Sequence, residues 1–133
     1  MTRARFLLSV FAALYIGALV GLTFVPTTPE FQQSWFIPFA AFFLLGVILL
    51  LLMGPRRWWA AIGFGVLGSA WIEAAQTIWM PVGYASLDHV LWASIGVVLG
   101  VTAALLLILS AVRAAPSHVP HRIVPQSGRR EIP

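Results

Sequence analysis

The sequence predicts an all-α membrane protein, a bundle of four transmembrane helices with both ends of the chain in the cytoplasm. Its composition, its apolar runs and the placement of its arginines all support this fold class. Hydrophobic residues make up 60% of the 133 residues and charged residues 9%, and the mean hydropathy is +0.93. Soluble domains average about 25% charged residues, so this chain has too few to cover a water-exposed surface. A disordered chain is excluded by the apolar content, and a disulfide scaffold by the absence of cysteine.

Four apolar runs are each long enough to cross the hydrocarbon layer, which takes about 20 helical residues. They cover residues 6–26, 35–53, 58–80 and 89–112. Pro26 ends the first run, and Gly54 and Pro55 end the second. Pro38 lies in the first turn of the second run, where its missing N–H costs little. Residues 1–113 are therefore predicted to form one transmembrane domain.

The last stretch, residues 114–133, is predicted to be a disordered, basic cytoplasmic tail. It holds Pro116, Pro120, Pro125 and Pro133 among polar and basic residues, a composition that cannot form a packed core. His118 and His121 also lie there, but two histidines on a disordered segment make a weak metal site. No metal site is predicted.

The arginines determine the predicted orientation. All 8 basic residues are arginine, and all of them lie inside if the amino terminus is cytoplasmic. The outer loops, residues 27–34 and 81–88, then contain no arginine, and their charged residues are the acids Glu30 and Asp88. The positive-inside rule selects this topology, with both termini inside. Because the arginines flank apolar runs, anionic membrane lipids are the expected partners, and nucleic acid is not.

Small residues four apart mark three of the predicted helices. Such pairs form grooves that let helix backbones approach closely. The favoured interpretation is packing within one chain, and the alternative is a homodimer through one of these Gly-x-x-x-Gly faces. The pairs are Gly17 with Gly21, Gly65 with Ser69, and Gly96 with Gly100.

Glu73 is the most informative residue of the sequence. It lies some 15 residues into the third run, about 22 Å from its inner end, where burial of an unpaired acid is expensive and usually functional. Gln76 and Thr77 follow at three and four residues, and Ser69 precedes by one turn, so all four share a face. Glu73 and Gln76 are therefore candidate ligand-binding residues. The alternative is a structural hydrogen bond from a protonated glutamic acid.

Asp88 and His89 complete the candidate site at the start of the fourth helix. For Asp88, the alternative to a role in ligand binding is a structural role at the helix start. There its charge would complement the helix dipole, and Ser86 or Asp88 itself would be the N-cap. His89 could pair with Glu73 or Asp88, or lie in the membrane interface. Counting turns from the helix ends predicts a water-filled funnel between Glu73 and the helix start, without direct contact between Glu73 and Asp88.

Motifs of known enzymes are missing from the sequence. It holds no HExxH and no GxSxG, and the glycines of residues 63–68 follow no strand. No catalytic residue and no cofactor are predicted, and the sequence favours a protein without enzymatic activity.

Several short segments resemble the VanZ-like family of small multi-pass bacterial membrane proteins. They are Ile-Glu-Ala-Ala-Gln at 72–76, Ala-Ser-Leu-Asp-His-Val-Leu at 85–91, the glycine helix at 95–100, and Leu-Thr-Phe-Val-Pro at 22–26. The chain departs from the family pattern where an arginine is replaced by Gly83, an aspartate by His89 and an asparagine by Ala93.

The resemblance implies a protein of the bacterial cytoplasmic (inner) membrane with a link to the cell envelope and to antibiotic resistance. The leading hypothesis is an outward-facing polar cavity that binds an envelope precursor, either lipid-linked or glycopeptide-related. A small proton-coupled exporter that uses Glu73 and a non-catalytic membrane scaffold are the alternatives.

Overall fold

The computed structural model describes residues 3–26, 28, 34–80 and 85–114. Within these ranges the chain is all-helical and has no strand. The helices are α1 (Arg3–Thr23), α2 (Phe36–Met53), α3 (Trp58–Trp79) and α4 (Leu87–Ala114), with a short 3-10 helix (Pro55–Arg57) between α2 and α3. Each helix end lies within three residues of the end predicted from the apolar runs. Residues 81–84 and most of the predicted tail, residues 115–133, lie outside the described residues.

Three of the described helices are long and apolar enough to cross a membrane, namely α1, α2 and α4. The fourth, α3, has 22 residues but carries Glu73 and Gln76 among its apolar side chains. By length and composition, the described helices are compatible with a multi-pass membrane protein.

A glycine ends α2 and turns the chain toward α3. Gly54 has a φ of 83°, a left-handed conformation that glycine adopts without steric cost. Its N–H donates to the Leu50 carbonyl at 2.7 Å, which satisfies one of the carbonyls left unpaired at the helix end. The short 3-10 helix then leads directly into α3.

The α2 and α4 helices pack backbone against backbone and run in the same direction. A Cβ added to Gly96 would meet the Phe39 carbonyl, and one added to Gly100 would meet the Phe43 carbonyl. Because the contacts advance together along both helices, the helices are parallel. This pair of glycines therefore packs within the chain, as favoured from the sequence.

The α3 helix packs antiparallel to α4. Gly65 faces the side chain of Val97, while Glu73, further along α3, reaches His89 near the start of α4. The core lies among α2, α3 and α4, with Leu50 and Val97 fully buried.

The first helix is held more loosely than the other three. Its one buried residue is Ala12, and the Tyr15 hydroxyl donates to the Ala41 carbonyl of α2 at 2.7 Å. No described atom lies within 4 Å of a Cβ built on Gly17 or Gly21. Homodimerisation through this pair stays a prediction.

The two ends of the bundle differ in charge. The carboxyl ends of α1 and α3 meet, because the rings of Phe24 and Trp79 lie 6.4 Å apart, and the starts of α2 and α4 meet there through Trp35 and Trp92, 4.9 Å apart. The opposite end holds every arginine of the described residues. These are Arg3, Arg5, Arg56, Arg57 and Arg113.

Candidate functional site

A cavity of about 220 Å³ lies between the helices at the arginine-free end. All four α-helices contribute to its lining. Most of the lining is apolar, and three of its six polar residues lie on α3. The lining includes Thr23, Ala41, Ser69, Glu73, Gln76, His89 and Ala93.

Glu73 connects α3 to the start of α4 through both oxygens of its carboxylate. Oε2 accepts a hydrogen bond from the Ser86 backbone N–H at 2.8 Å, and Oε1 lies 3.3 Å from Nδ1 of His89. The side chains of Glu73 and His89 are only 15% and 21% exposed. This pair is an ion pair when the imidazole is protonated.

Gln76 connects α3 to the end of α1. Its Nε2 donates to the Thr23 carbonyl at 2.8 Å, and the residue is 8% exposed. Its Oε1 is buried and has no hydrogen-bond partner among the described residues. An unsatisfied buried acceptor costs about 1–3 kcal/mol, so this oxygen is the unexplained polar atom of the cavity.

Both side chains satisfy backbone groups at helix ends. Thr23 is the last residue of α1, and its carbonyl has no partner inside the helix. Ser86 directly precedes α4, and its N–H has none either. Since unpaired backbone groups are costly in a membrane, the polar face of α3 caps two neighbouring helices. This cross-helix capping gives Glu73 and Gln76 a structural role.

Ser86 is the N-cap of α4. Its hydroxyl accepts a hydrogen bond from the Asp88 N–H at 3.2 Å, and its carbonyl accepts one from the His89 N–H at 3.1 Å. Asp88 itself is exposed and lies outside the cavity lining, in the first turn of α4. There it complements the helix dipole, which was the alternative for this residue.

The four polar residues predicted to share a face of α3 are not all equivalent. Ser69 is buried in the lining, and its hydroxyl donates to the Val66 carbonyl at 2.8 Å. Thr77 is exposed on the other side of Glu73, with its hydroxyl bonded to the Ala74 carbonyl. The structure therefore brings Glu73, Gln76 and His89 to one cavity, with Ser69, and leaves Thr77 and Asp88 outside it.

The groups that the sequence analysis missed are backbone atoms. The partners of Gln76 and Glu73 are the Thr23 carbonyl and the Ser86 N–H. The sequence indicates these backbone groups only through the predicted end of α1 and the predicted start of α4, because every helix end leaves such groups unpaired. A polar side chain at the same depth on a neighbouring helix is the natural partner.

The charges of the lining limit what the cavity can bind. Among the described residues that line it, the titratable ones are Glu73 and His89, and none is an arginine. No group of three or more His, Cys, Asp or Glu that could hold a metal ion occurs in the described part of the chain. The site is therefore a largely apolar cavity with one polar wall.

Comparison with protein-family models, with curated proteins and with solved structures finds no match to this chain. The resemblance to the VanZ-like family stays a prediction from the sequence.

Proposed function

We propose that this chain is a four-span membrane protein that binds an amphiphilic molecule of the cell envelope in its interhelical cavity. The observation that carries the proposal is the cavity of about 220 Å³, whose polar lining includes Gln76, a residue with a buried and unpartnered Oε1. Capping of helix ends explains the remaining hydrogen bonds of Glu73 and Gln76. It explains neither this oxygen nor the space beside it.

The parallel packing of α2 and α4 supports a fourth span. Two parallel helices that both cross a membrane need a connection that crosses back. The only described helix of sufficient length between them is α3, whose 22 residues reach about 33 Å and match a hydrocarbon layer of about 30 Å. In this arrangement the hydrogen bonds of Glu73 and Gln76 offset their cost in the membrane.

The charge difference between the bundle ends supports an orientation with both termini inside. The five described arginines would face the cytoplasm, and the cavity would open on the outer side of the cytoplasmic membrane of a bacterium. The VanZ-like resemblance points to an envelope molecule as the partner.

The size of the cavity limits the ligand. An engineered apolar cavity of about 150 Å³ takes up benzene, whereas sites for drug-sized molecules measure roughly 300–1,000 Å³. The cavity therefore accommodates part of an amphiphile, the region where an apolar chain meets its polar end. A complete glycopeptide does not fit.

A non-catalytic scaffold is the second candidate, because cross-helix capping gives Glu73 and Gln76 a purely structural role. A proton-coupled exporter is less well supported. Both oxygens of Glu73 are engaged, and the residue lies about 9 Å from the end of α3. Transporters place their sites near the middle of the bilayer.

Filling the cavity tests the proposal against the scaffold. Ala93 lines the cavity and is 2% exposed, so Ala93→Leu puts a larger side chain into it. Native mass spectrometry of the full chain, released from membrane in its own lipids, should show a bound amphiphile in the wild type. The adduct should be lost in Ala93→Leu.

Two further variants show whether the loss of the adduct is due to filling of the cavity. Ala41→Leu fills the same cavity from α2 and should also remove the adduct. Ala74→Leu adds the same atoms at an exposed position of α3 and should retain it. An unchanged adduct in both filled variants would leave the scaffold as the better explanation.

A further inference from the structure

We infer that the polar end of the ligand is an uncharged hydrogen-bond donor, a hydroxyl group at the end of an apolar chain, and that Oε1 of Gln76 accepts its proton. This inference rests on the proposed function, since it names the chemistry of the molecule that enters the cavity. The proposed function requires only an amphiphile, and the inference adds that a hydroxyl group of this molecule binds at Oε1.

The hydrogen bond from Gln76 to α1 decides which atom of its amide is left over. The Thr23 carbonyl can only accept, so the amide group that faces it at 2.8 Å must be the NH₂. Oxygen is then the unpartnered atom, and it is buried. An acceptor in this state selects for a donor, and repels a second acceptor.

A rotation of the Gln76 amide is needed to bring this oxygen to the ligand. Oε1 is covered by its surroundings, although Gln76 itself lines the cavity. The terminal torsion of glutamine has a broad minimum, so this rotation costs little torsional energy, and Nε2 turns by the same angle and adjusts its hydrogen bond to the Thr23 carbonyl.

The charges of the polar wall exclude an anionic end group. Glu73 and His89 are the titratable residues of the described lining, and a positive charge on His89 is already engaged by the Glu73 carboxylate at 3.3 Å. An incoming phosphate or carboxylate would meet this carboxylate with no arginine in the described lining to compensate it. A charged group would also lose several kcal/mol of hydration on entering a mostly apolar cavity. A hydroxyl avoids both costs.

Matched photoreactive probes test the inference on the full chain in lipid nanodiscs. We would use a long-chain alcohol with a diazirine in mid-chain, its methyl ether, and the carboxylate of equal length. Mass spectrometry maps the cross-links. Labelling of cavity residues is divided by labelling of the exposed Leu7 and Leu14 on α1, which cancels differences in bilayer partitioning.

The wild type should label its cavity about two- to tenfold more with the alcohol than with the methyl ether, which is the worth of one net hydrogen bond. The carboxylate should label it least. Gln76→Leu should abolish the preference for the alcohol. Thr77→Val, which removes an exposed hydroxyl one residue further on, should keep it.

The outcomes separate this inference from the proposed function. Equal cavity labelling by alcohol and ether in the wild type, or a preference for the carboxylate, overturns the donor assignment and leaves an amphiphile-binding cavity. Failure of all three probes to label the cavity overturns both. Because alcohol and ether are compared on the wild type, the result does not depend on the folding of a variant.

Discussion

Glu73 combines two partners that the sequence presents separately, the backbone before α4 and the imidazole of His89. In the proposed four-span arrangement an unpaired acid at this position would cost several kcal/mol, and each oxygen of the carboxylate has a partner. The hydrogen bond to the Ser86 N–H does not require a negative charge. An amide at position 73 can accept it equally well.

Glu73→Gln should therefore cost less than about 1 kcal/mol of unfolding free energy. Glu73→Leu leaves the Ser86 N–H and His89 without this partner, and should cost about 2–3 kcal/mol, as expected for hydrogen bonds that involve a charged group. Denaturant titration in micelles, followed by circular dichroism, measures both values.

Thr77→Val is the control for this comparison, since Thr77 is exposed on the same helix and its loss should change the stability little. If Glu73→Gln proved as destabilising as Glu73→Leu, the negative charge would be the essential property of this side chain, and the capping role would be wrong.

The periodicity of α3 predicts part of the site. Successive residues are about 100° apart around a helix, which places Ser69, Glu73 and Gln76 within about 60° of one another. Thr77 falls about 100° from Gln76, on the far side of Glu73, and the structure leaves it outside the cavity. Spacing alone could not show on which side of Glu73 the cavity lies.

The relative height of α3 and α4 is the second feature that could not be predicted. Counting turns from the helix ends predicts Ala93 or Ser94 at the depth of Glu73, and Ala93 does line the same cavity. Glu73 nevertheless reaches His89, one turn closer to the start of α4. Side-chain length and direction decide this contact, and neither is contained in the periodicity.

At the scale of elements, close packing of α2 on α4 holds the bundle together. Gly96 and Gly100 lie so close to the α2 backbone that a Cβ atom on either glycine would overlap it. Such contact gains dispersion energy and excludes lipid, the main source of helix association in a membrane.

Gly100→Ala should destabilise the protein by about 1–3 kcal/mol, because the added methyl group meets the Phe43 carbonyl and overpacking is relieved only by moving the helices apart. Gly63→Ala is the matched control, with no described atom within 4 Å of its Cβ. It should be neutral, or stabilising by up to about 1 kcal/mol through helix propensity.

Thermal unfolding of both variants in the same micelles measures the difference. Equal stability of Gly100→Ala and Gly63→Ala would mean that α2 and α4 do not pack this closely.

The apolar runs predict where the helices begin and end, but not which helices are neighbours. Gly17 with Gly21 and Gly96 with Gly100 have the same spacing, yet of these two pairs only the second packs against another described helix. Small residues permit close approach, and the arrangement of the whole bundle decides which pair makes use of it.

At the scale of the whole molecule, the arginines and the cavity occupy opposite ends of the bundle. Four alternating helices bring this about, since the carboxyl ends of α1 and α3 meet the amino ends of α2 and α4. The lining of the cavity comes from all four helices, from Leu19 to Ala93, so the cavity exists only when the bundle is assembled. The orientation in the membrane then decides which side the cavity serves.

Everything proposed for the cavity depends on α3 crossing the membrane, and single cysteines can report this directly because the chain has none of its own. Thr28→Cys, Pro55→Cys and Ala85→Cys keep all arginines in place, and Thr28 and Pro55 are exposed. Intact cells are treated with a membrane-impermeant maleimide and compared with lysed cells. Thr28→Cys and Ala85→Cys should be labelled in intact cells, and Pro55→Cys only after lysis. Labelling of Pro55→Cys and Ala85→Cys from the same side would show that α3 does not cross, and would contradict the four-span bundle and its outward cavity.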